Sequence, residues 1–361
     1  MNKLNLCIIF GGKSAEHEVS LQSAYNIVEA VDKEKYSLTL IAMNKEGKFY
    51  LCDSLNFLEN IDNPKDIKIK NTDNQIAFVP GERGSSIYSL RDNKMIDSID
   101  VIFPIIHGPF GEDGSLQGLL KLIDVPFVGA GVVGSAVGMD KDIMKRLLRD
   151  NDIDIADFII YRDILEADYL SAKDKLGIPM FIKPANLGSS VGISKVTNQD
   201  EFLNGLEEAF RFDGKVIVEE FIDGREIECA VKGNLKTKVT FPGEILPTDE
   251  FYSYEAKYIN ETGAVLKIPA ELDNNIADNI KEIAKETYKL LETRGLARID
   301  FFVTKDRILV NEINTLPGFT KISMYPKLWK NEGVEYSDLI DELIVFAIEE
   351  FDNNDKLLST I

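Results

Sequence analysis

The 361-residue sequence predicts a doubly wound α/β domain with a parallel sheet at the N-terminus, followed by α+β units. Three observations carry this expectation. Apolar runs at 4–10, 36–42 and 101–106 are nearly continuous, as strands buried on both faces of a parallel sheet are. The first run ends in Gly11-Gly12, after which Leu21, Ala24, Val28 and Val31 recur at helical spacing. Beyond residue 140 the pattern becomes strand pairs interrupted by helices.

Between the second and third runs, about 45–100 is polar and irregular, and reads as an insertion carrying hairpins of its own. Ile143, Leu147 and Leu148 share one helix face, and 158–161 is a strand. A hairpin spans 181–196 and a helix 201–212, after which strands at 216–221 and 226–231 meet at the turn Asp223-Gly224. Strands at 297–303 and 308–311 alternate with helices at about 275–293 and 337–351. These elements divide the chain into 1–138, 139–214 and 215–361.

The chain has 41 Lys and Arg against 61 Asp and Glu, a net charge of −20. With no basic cluster, it offers no electrostatic footprint for nucleic acid or a membrane surface, so small molecules are the expected partners. Hydrophobic residues make up 44%, enough for a large core, which excludes a disordered chain. The apolar runs are too short to cross a bilayer and no cleavable signal pattern opens the chain, so a cytoplasmic location is expected. Cys7, Cys52 and Cys229 lack metal-binding spacing and are expected as buried free thiols.

The chemistry-bearing residues form four groups. Arg298-Ile299-Asp300 and Glu312-Ile313-Asn314 lie on strands joined by a hairpin, and alternation puts Arg298 with Asp300, and Glu312 with Asn314. If the two faces coincide, two carboxylates and an amide oxygen converge, a hard-oxygen set suited to magnesium. A surface charge ladder is the competing reading, and the apolar residues of both strands argue against it. Second, Lys183-Pro184 precedes Leu187-Gly188-Ser189-Ser190-Val191-Gly192, a fixed cation beside a Gly/Ser loop whose backbone N–H groups can cradle phosphate. This is neither GxxxxGK[ST] nor GxGxxG. Third, in Val218-Glu219-Glu220-Phe221-Ile222-Asp223-Gly224-Arg225-Glu226 a strand end can pair with an adenine edge and Glu226 can accept ribose hydroxyls. Fourth, the loops from Gly11 to Ser20 and from His107 to Gly114 follow buried strands, where open α/β sheets bind ligands, although helix capping explains Ser14 or Ser20 equally well and the second loop reads equally as a capped turn.

In this order the pieces resemble the D-alanine–D-alanine ligases of the ATP-grasp superfamily. The resemblance covers essentially the whole chain through GGKSAEHEVS, HGPFGEDGSLQG, VGAGVVGSAVGMDK, KPANLGSSVGISKV, the YEAKY at 254–258, ARIDFFV and NEINTLPGF. It implies an ATP-grasp fold and a reaction in which ATP phosphorylates one D-alanine carboxylate and a second D-alanine amine displaces phosphate, supplying peptidoglycan synthesis. It further implies ATP contacts at Lys141, Lys183, Ser189, Ser190, Glu219, Phe221, Glu226 and Lys257. Asp300, Glu312 and Asn314 match the ligands of magnesium, with two ions expected and Mn2+ able to substitute. Glu16 matches the partner of the first ammonium, with His107 beside the carboxylate. Ser189 and Tyr258 close a loop over the site with Glu16, Arg298 and the Gly318 N–H match the oxyanion donors, and Ser323 and Met324 match the second-substrate contacts. A homodimer is implied as well.

Relatives that make D-alanyl-D-lactate or D-alanyl-D-serine are the rival within the family. The lactate type would carry a histidine near 258, and the chain has only His17 and His107. Apolar Met324 argues against a serine hydroxyl. The sequence departs from many relatives at His17, where arginine is common, and at Leu187, where glutamate is. Another ATP-grasp ligase would have no reason to keep GGKSAE and YEAKY together. A non-enzymatic nucleotide-binding module would need Arg298, Asp300 and Glu312 to be structural, and the missing GxGxxG argues against a dehydrogenase.

Overall fold

The structure is a computed structural model and describes residues 3–81, 87–96, 98–247 and 264–357. The N-terminal unit contains β1 (Leu4–Gly11), α1 (His17–Ala30), β2 (Tyr36–Met43), β3 (Phe49–Leu51), β4 (Leu58–Glu59), β5 (Lys68–Ile69), β6 (Ile76–Phe78), β7 (Ile87–Ser89), β8 (Lys94–Met95), β9 (Val101–Ile105) and α2 (Ser115–Leu122). Its sheet runs β3-β2-β1-β9, parallel except for the antiparallel edge strand β3. Strand β1 shows why its sequence is apolar without alternation. Leu6, Ile8 and Phe10 enter one core with α1, while Cys7 and Ile9 enter another with Ile102, Leu116 and Leu120. The insertion forms hairpins as expected, β4 pairing with β5 and β6-β7-β8 making a small sheet.

The middle unit holds α3 (Val132–Met139), α4 (Lys141–Asp150), β10 (Phe158–Tyr161), α5 (Tyr169–Leu176), β11 (Met180–Pro184), β12 (Ser194–Val196), α6 (Gln199–Phe210) and β13 (Val216–Glu220). Its antiparallel sheet runs β10-β13-β11-β12. The sequence reading assigned β13 to the C-terminal unit and paired it across Asp223-Gly224, and the structure corrects both. Val216, Ile217 and Val218 are fully buried, so this strand is an interior member of the middle sheet, between β10 and β11. On sheet membership the division falls between Glu220 and Arg225, not at 214.

The C-terminal unit comprises β14 (Arg225–Gly233), β15 (Thr237–Val239), β16 (Gly243–Pro247), β17 (Ala264–Lys267), α7 (Asn274–Leu290), β18 (Gly295–Val303), β19 (Ile308–Asn314), α8 (Met324–Asn331) and α9 (Tyr336–Asp355). Its sheet runs β17-β16-β14-β18-β19, with β15 also paired to β14. Ile227, Cys229, Ile299 and Phe301 pack with Ile280, Ala284 and Tyr288 of α7. Period-two alternation therefore turns Glu226, Glu228, Arg298 and Asp300 to the opposite face.

Leu339, Ile340, Leu343 and Ile344 of α9 share one core with β1 and α1, so the last helix ties the C-terminal unit to the first strand. Phe319, fully buried, joins the same core, its ring 5.6 Å from Phe103, 6.0 Å from Tyr325 and 5.3 Å from Tyr336. Among the described residues no helix is long and apolar enough to cross a membrane, and the three cysteines are unpaired. Replacing Phe319 by Ala should cost about 3–5 kcal/mol through the cavity left behind. Urea unfolding read by circular dichroism checks this, and a loss below about 1 kcal/mol would show that Phe319 does not join the two units.

Candidate active site

The pairing of β18 with β19 sets the centre of the site. Arg298 lies opposite Asn314 and Asp300 opposite Glu312, so the two faces coincide, and a bulge follows at Asp300/Phe301. Arg298 grips Asp300 with two parallel bonds, Nε to Oδ1 and Nη2 to Oδ2, each 2.7 Å. Such a fork fixes orientation as well as charge. Arg298 Nε is also 2.9 Å from Glu228 Oε2, and Asn314 Nδ2 donates to Asp300 Oδ2 at 2.9 Å.

Two loops of the N-terminal unit approach this face. Ser14 Oγ donates to the His107 carbonyl at 2.6 Å and accepts from the Glu16 N–H at 3.1 Å, locking the loop after β1 to the loop after β9. Glu16 is buried beside Gly108, where a Cβ would come within 2.9 Å of its Oε2 and where the φ of 75° favours glycine. His107 is only 2% exposed and stands beneath the pocket, not on its wall. Its Nδ1 lies 3.1 Å from the Leu316 carbonyl and its Nε2 3.2 Å from Ser23 Oγ. Burial lowers its pKa, which favours the neutral ring.

The middle unit supplies the lysines. Lys141, just after the α4 cap Asp140, donates to the Leu187 carbonyl at 2.8 Å and lies 3.6 Å from Glu312 Oε2. Lys183 pairs with Glu219 across the sheet, and Lys145 reaches the other oxygen of that carboxylate at 2.8 Å. Burial penalises the Glu219 carboxylate, but Lys145 and Lys183 outweigh it and hold the pKa down at about 2. Burial works against the Lys183 ammonium too, yet Glu219 and Glu312 leave its pKa raised. In the Gly/Ser loop Ser189 and Ser190 adopt φ of 54° and 60°, a left-handed turn.

These parts enclose a cavity of about 570 Å³. Of the residues singled out in the sequence, Glu16, Ser189, Glu226, Arg298, Asp300, Glu312, Asn314, Gly318, Ser323 and Met324 line it. Lys141 lines a smaller adjoining space with Gly188, Glu312 and Asn314. Lys183, Glu219, Ser190, Phe221 and His107 are not on the walls. The Phe221 ring stands 6.0 Å from that of Phe181, with Lys195 Nζ 4.8 Å from its centre. Lys257 and Tyr258 lie outside the described residues.

Comparison with known proteins decides the family. A family model described as D-ala D-ala ligase N-terminus matches residues 5–130, and one described as D-ala D-ala ligase C-terminus matches 147–345. The chain belongs to the D-alanine–D-alanine ligase family. It is 53% identical to a D-alanine–D-alanine ligase of Oceanobacillus iheyensis, over 99% of each chain. Among solved structures it is similar to the D-alanine–D-alanine ligase of Coxiella burnetii, with a TM-score of 0.86 and 38% identity over 99% of this chain and 97% of that one. The VanG D-Ala:D-Ser ligase of Enterococcus faecalis gives a TM-score of 0.83 and 34% identity over 96% of this chain and 100% of that one.

The donor set of Asp300, Glu312 and Asn314, two carboxylates and an amide oxygen, is chemically of the kind a hard divalent cation takes. Asp300 has its oxygens held by Arg298 and Asn314, while Glu312 lies on the wall of both spaces. Among the described residues no group of three His, Cys, Asp or Glu side chains can hold a metal alone. Magnesium takes one or two carboxylates and completes its shell with phosphate and water, so Asp300 and Glu312 with the Asn314 amide oxygen would be enough to hold it.

Three residues of this ligase escaped the sequence reading. Glu228 follows Glu226 at a spacing of two on β14, and Lys145 follows Lys141 at a spacing of four on α4, so periodicity could have exposed both. Glu112 had only its place in the GEDG loop. Its Oε2 accepts the Gly108 N–H at 2.6 Å and its Oε1 the Leu316 N–H at 3.3 Å, a bridge between units.

Burial and the neighbouring Glu16 push the Glu112 pKa from 4.5 up to about 8. Between those values the folded protein keeps a proton that the unfolded chain releases, so this group's contribution to stability falls as pH rises from 4.5 to about 8. Glu112→Gln, which cannot titrate, should therefore gain stability relative to the parent across that window. Chemical unfolding at pH 5 and pH 8 checks it, and a pH-independent difference would contradict the assignment.

Proposed function

We propose that the chain is a D-alanine–D-alanine ligase that makes the D-alanyl-D-alanine dipeptide from two D-alanines and ATP. The observation that carries this reading is the meeting in one cavity of Glu16, Arg298, Gly318 and Ser323 with the oxygen donors Asp300, Glu312 and Asn314. A carboxylate oxygen of the first D-alanine attacks the γ-phosphorus of ATP, and the bond to ADP breaks. The amine of the second D-alanine attacks the resulting acyl phosphate carbon. As the tetrahedral oxyanion collapses, the bond to phosphate breaks and the amine proton is lost.

Each role follows from charge. Glu16 is the carboxylate for the first ammonium, and its burial strengthens that pair. Arg298, held by Asp300 and Glu228, presents fixed positive charge with the Gly318 N–H to the developing oxyanion, and needs no reorganisation to do so. Lys141, Lys183 and Lys257, with Ser189 and Ser190, are the phosphate partners, and Glu219, Phe221 and Glu226 serve the nucleoside. His107 braces the loop that carries the substrate carboxylate, and Tyr258 closes over the site with Ser189. Asp300, Glu312 and Asn314 would hold Mg2+, or Mn2+ in its place, which supplies charge neutralisation at the transferred phosphoryl group. A role in peptidoglycan synthesis, a homodimer and a cytoplasmic location accompany this reading through the resemblance.

For the second position, buried Met324 gives the cavity wall an apolar surface at the side chain. This favours D-alanine over D-serine, by a modest factor. Phosphate release with ATP, Mg2+ and D-alanine should therefore yield the homodipeptide by mass, and the homodipeptide should remain the main product when D-serine or D-lactate is added at equal concentration. A predominantly mixed product would reassign the second site.

Glu16→Gln removes one charged partner and should raise the KM for the first D-alanine by about tenfold or more, leaving the KM for ATP within about twofold. Initial rates over both substrates measure this, and an unchanged D-alanine KM would rule out the role given to Glu16.

A further inference from the structure

Lys145 has no part in the reaction as derived, yet it sits at the heart of the nucleotide side. Its side chain is fully buried on α4, one turn beyond Lys141, with Nζ 2.8 Å from Glu219 Oε1. The second oxygen of Glu219 belongs to Lys183. One buried carboxylate thus holds two buried ammonium groups, one more than its neutralisation needs. Burying an ammonium is unfavourable unless it is paired, and Glu219 is the partner that Lys145 has. Lys141 does not share this carboxylate, since it is engaged with the Leu187 carbonyl and Glu312.

We propose that Lys145 is a positioning residue for ATP: it keeps Glu219 paired and in place when Lys183 turns from that carboxylate to the phosphates. The inference rests on the reading above of Lys183 as a phosphate partner and Glu219 as a nucleoside-side residue. Among the described residues Lys183 is the only other cation on Glu219. Without Lys145, each ATP that drew Lys183 away would strand a buried carboxylate, and that penalty would be subtracted from ATP binding. With Lys145, Glu219 stays ionised and fixed while Lys183 changes partner.

The test is a double-mutant cycle on the full chain, with KM measured for both substrates in Lys145→Met, Glu219→Gln and the double variant. Lys145→Met should raise the KM for ATP by about tenfold or more and leave that for D-alanine within about twofold. In the Glu219→Gln background, where no carboxylate can be stranded, the same substitution should change the ATP KM by less than about twofold. Equal effects in both backgrounds, or no effect on ATP, would overturn the proposal. If Lys145→Met alone does not fold, the double variant carries no stranded carboxylate and is compared directly with Glu219→Gln. Matching ATP KM values then support the inference, and about a tenfold difference overturns it. Lys183→Met separates this from the reading beneath it. If that variant leaves the ATP KM unchanged, the phosphate role of Lys183 falls and the proposal with it. If it raises the ATP KM while Lys145→Met does not, only the present inference falls.

Discussion

The two-bond pair of Arg298 with Asp300 is the interaction on which the rest of the site depends. The proposed reaction gathers a carboxylate, a triphosphate and an oxyanion, all negative, into one cleft. The protein must therefore hold cations there before substrate arrives, and an unpartnered buried cation is unfavourable. The structure meets this by pairing these cations with carboxylates: Arg298 with Asp300 and Glu228, Lys183 and Lys145 with Glu219, Lys141 with Glu312. These pairs fix side chains in direction as well as neutralise them. An arginine whose fork is already occupied at 2.7 Å presents its remaining N–H groups with little rotational freedom.

That pairing in turn depends on strand register. A slip of one residue between β18 and β19 would send Asn314 and Glu312 into the α7 core and bring Ile313 to the cleft. The apolar partners Ile299, Phe301 and Ile313 on the opposite face guard against this, since each is anchored in a packed core. The site is then completed from a distance. Serine 14 joins the loops after β1 and β9, Glu112 bridges Gly108 and Leu316, and α9 returns to pack against the first strand. Three units are thereby held around one cavity, although none contains the full set of groups.

How much of this was legible in the sequence follows from periodicity. The faces of β18 and β19 were readable because Arg298-x-Asp300 and Glu312-x-Asn314 alternate with apolar residues, and the parallel strands were readable as unbroken apolar runs. Strand β13 was misplaced because Val216-Ile217-Val218 has no polar face, and an unbroken run does not say which sheet buries it. Helix α3 was not recognised, since Val132-Val133-Gly134-Ser135-Ala136-Val137-Gly138 reads as a poor helix former. Packing explains its glycines: a Cβ at Gly138 would lie 2.7 Å from Thr315 Cγ2, so close approach to β19 overrides propensity. Glu112 was invisible for a different reason. Its role comes from two backbone N–H groups, one of them 204 residues away, and side-chain patterns carry no record of such a contact.

The proposed function makes Asp300, Glu312 and Asn314 the metal side of an ATP site, opposite the lysines of the middle unit. The most direct test is anomalous diffraction from crystals grown with Mn2+ and a non-hydrolysable ATP analogue. Manganese should be bound by oxygen atoms of these three residues and of the analogue's phosphates, with Lys183 turned from Glu219 toward those phosphates. Manganese bound elsewhere, with the Lys183–Glu219 pair intact beside the nucleotide, would contradict it.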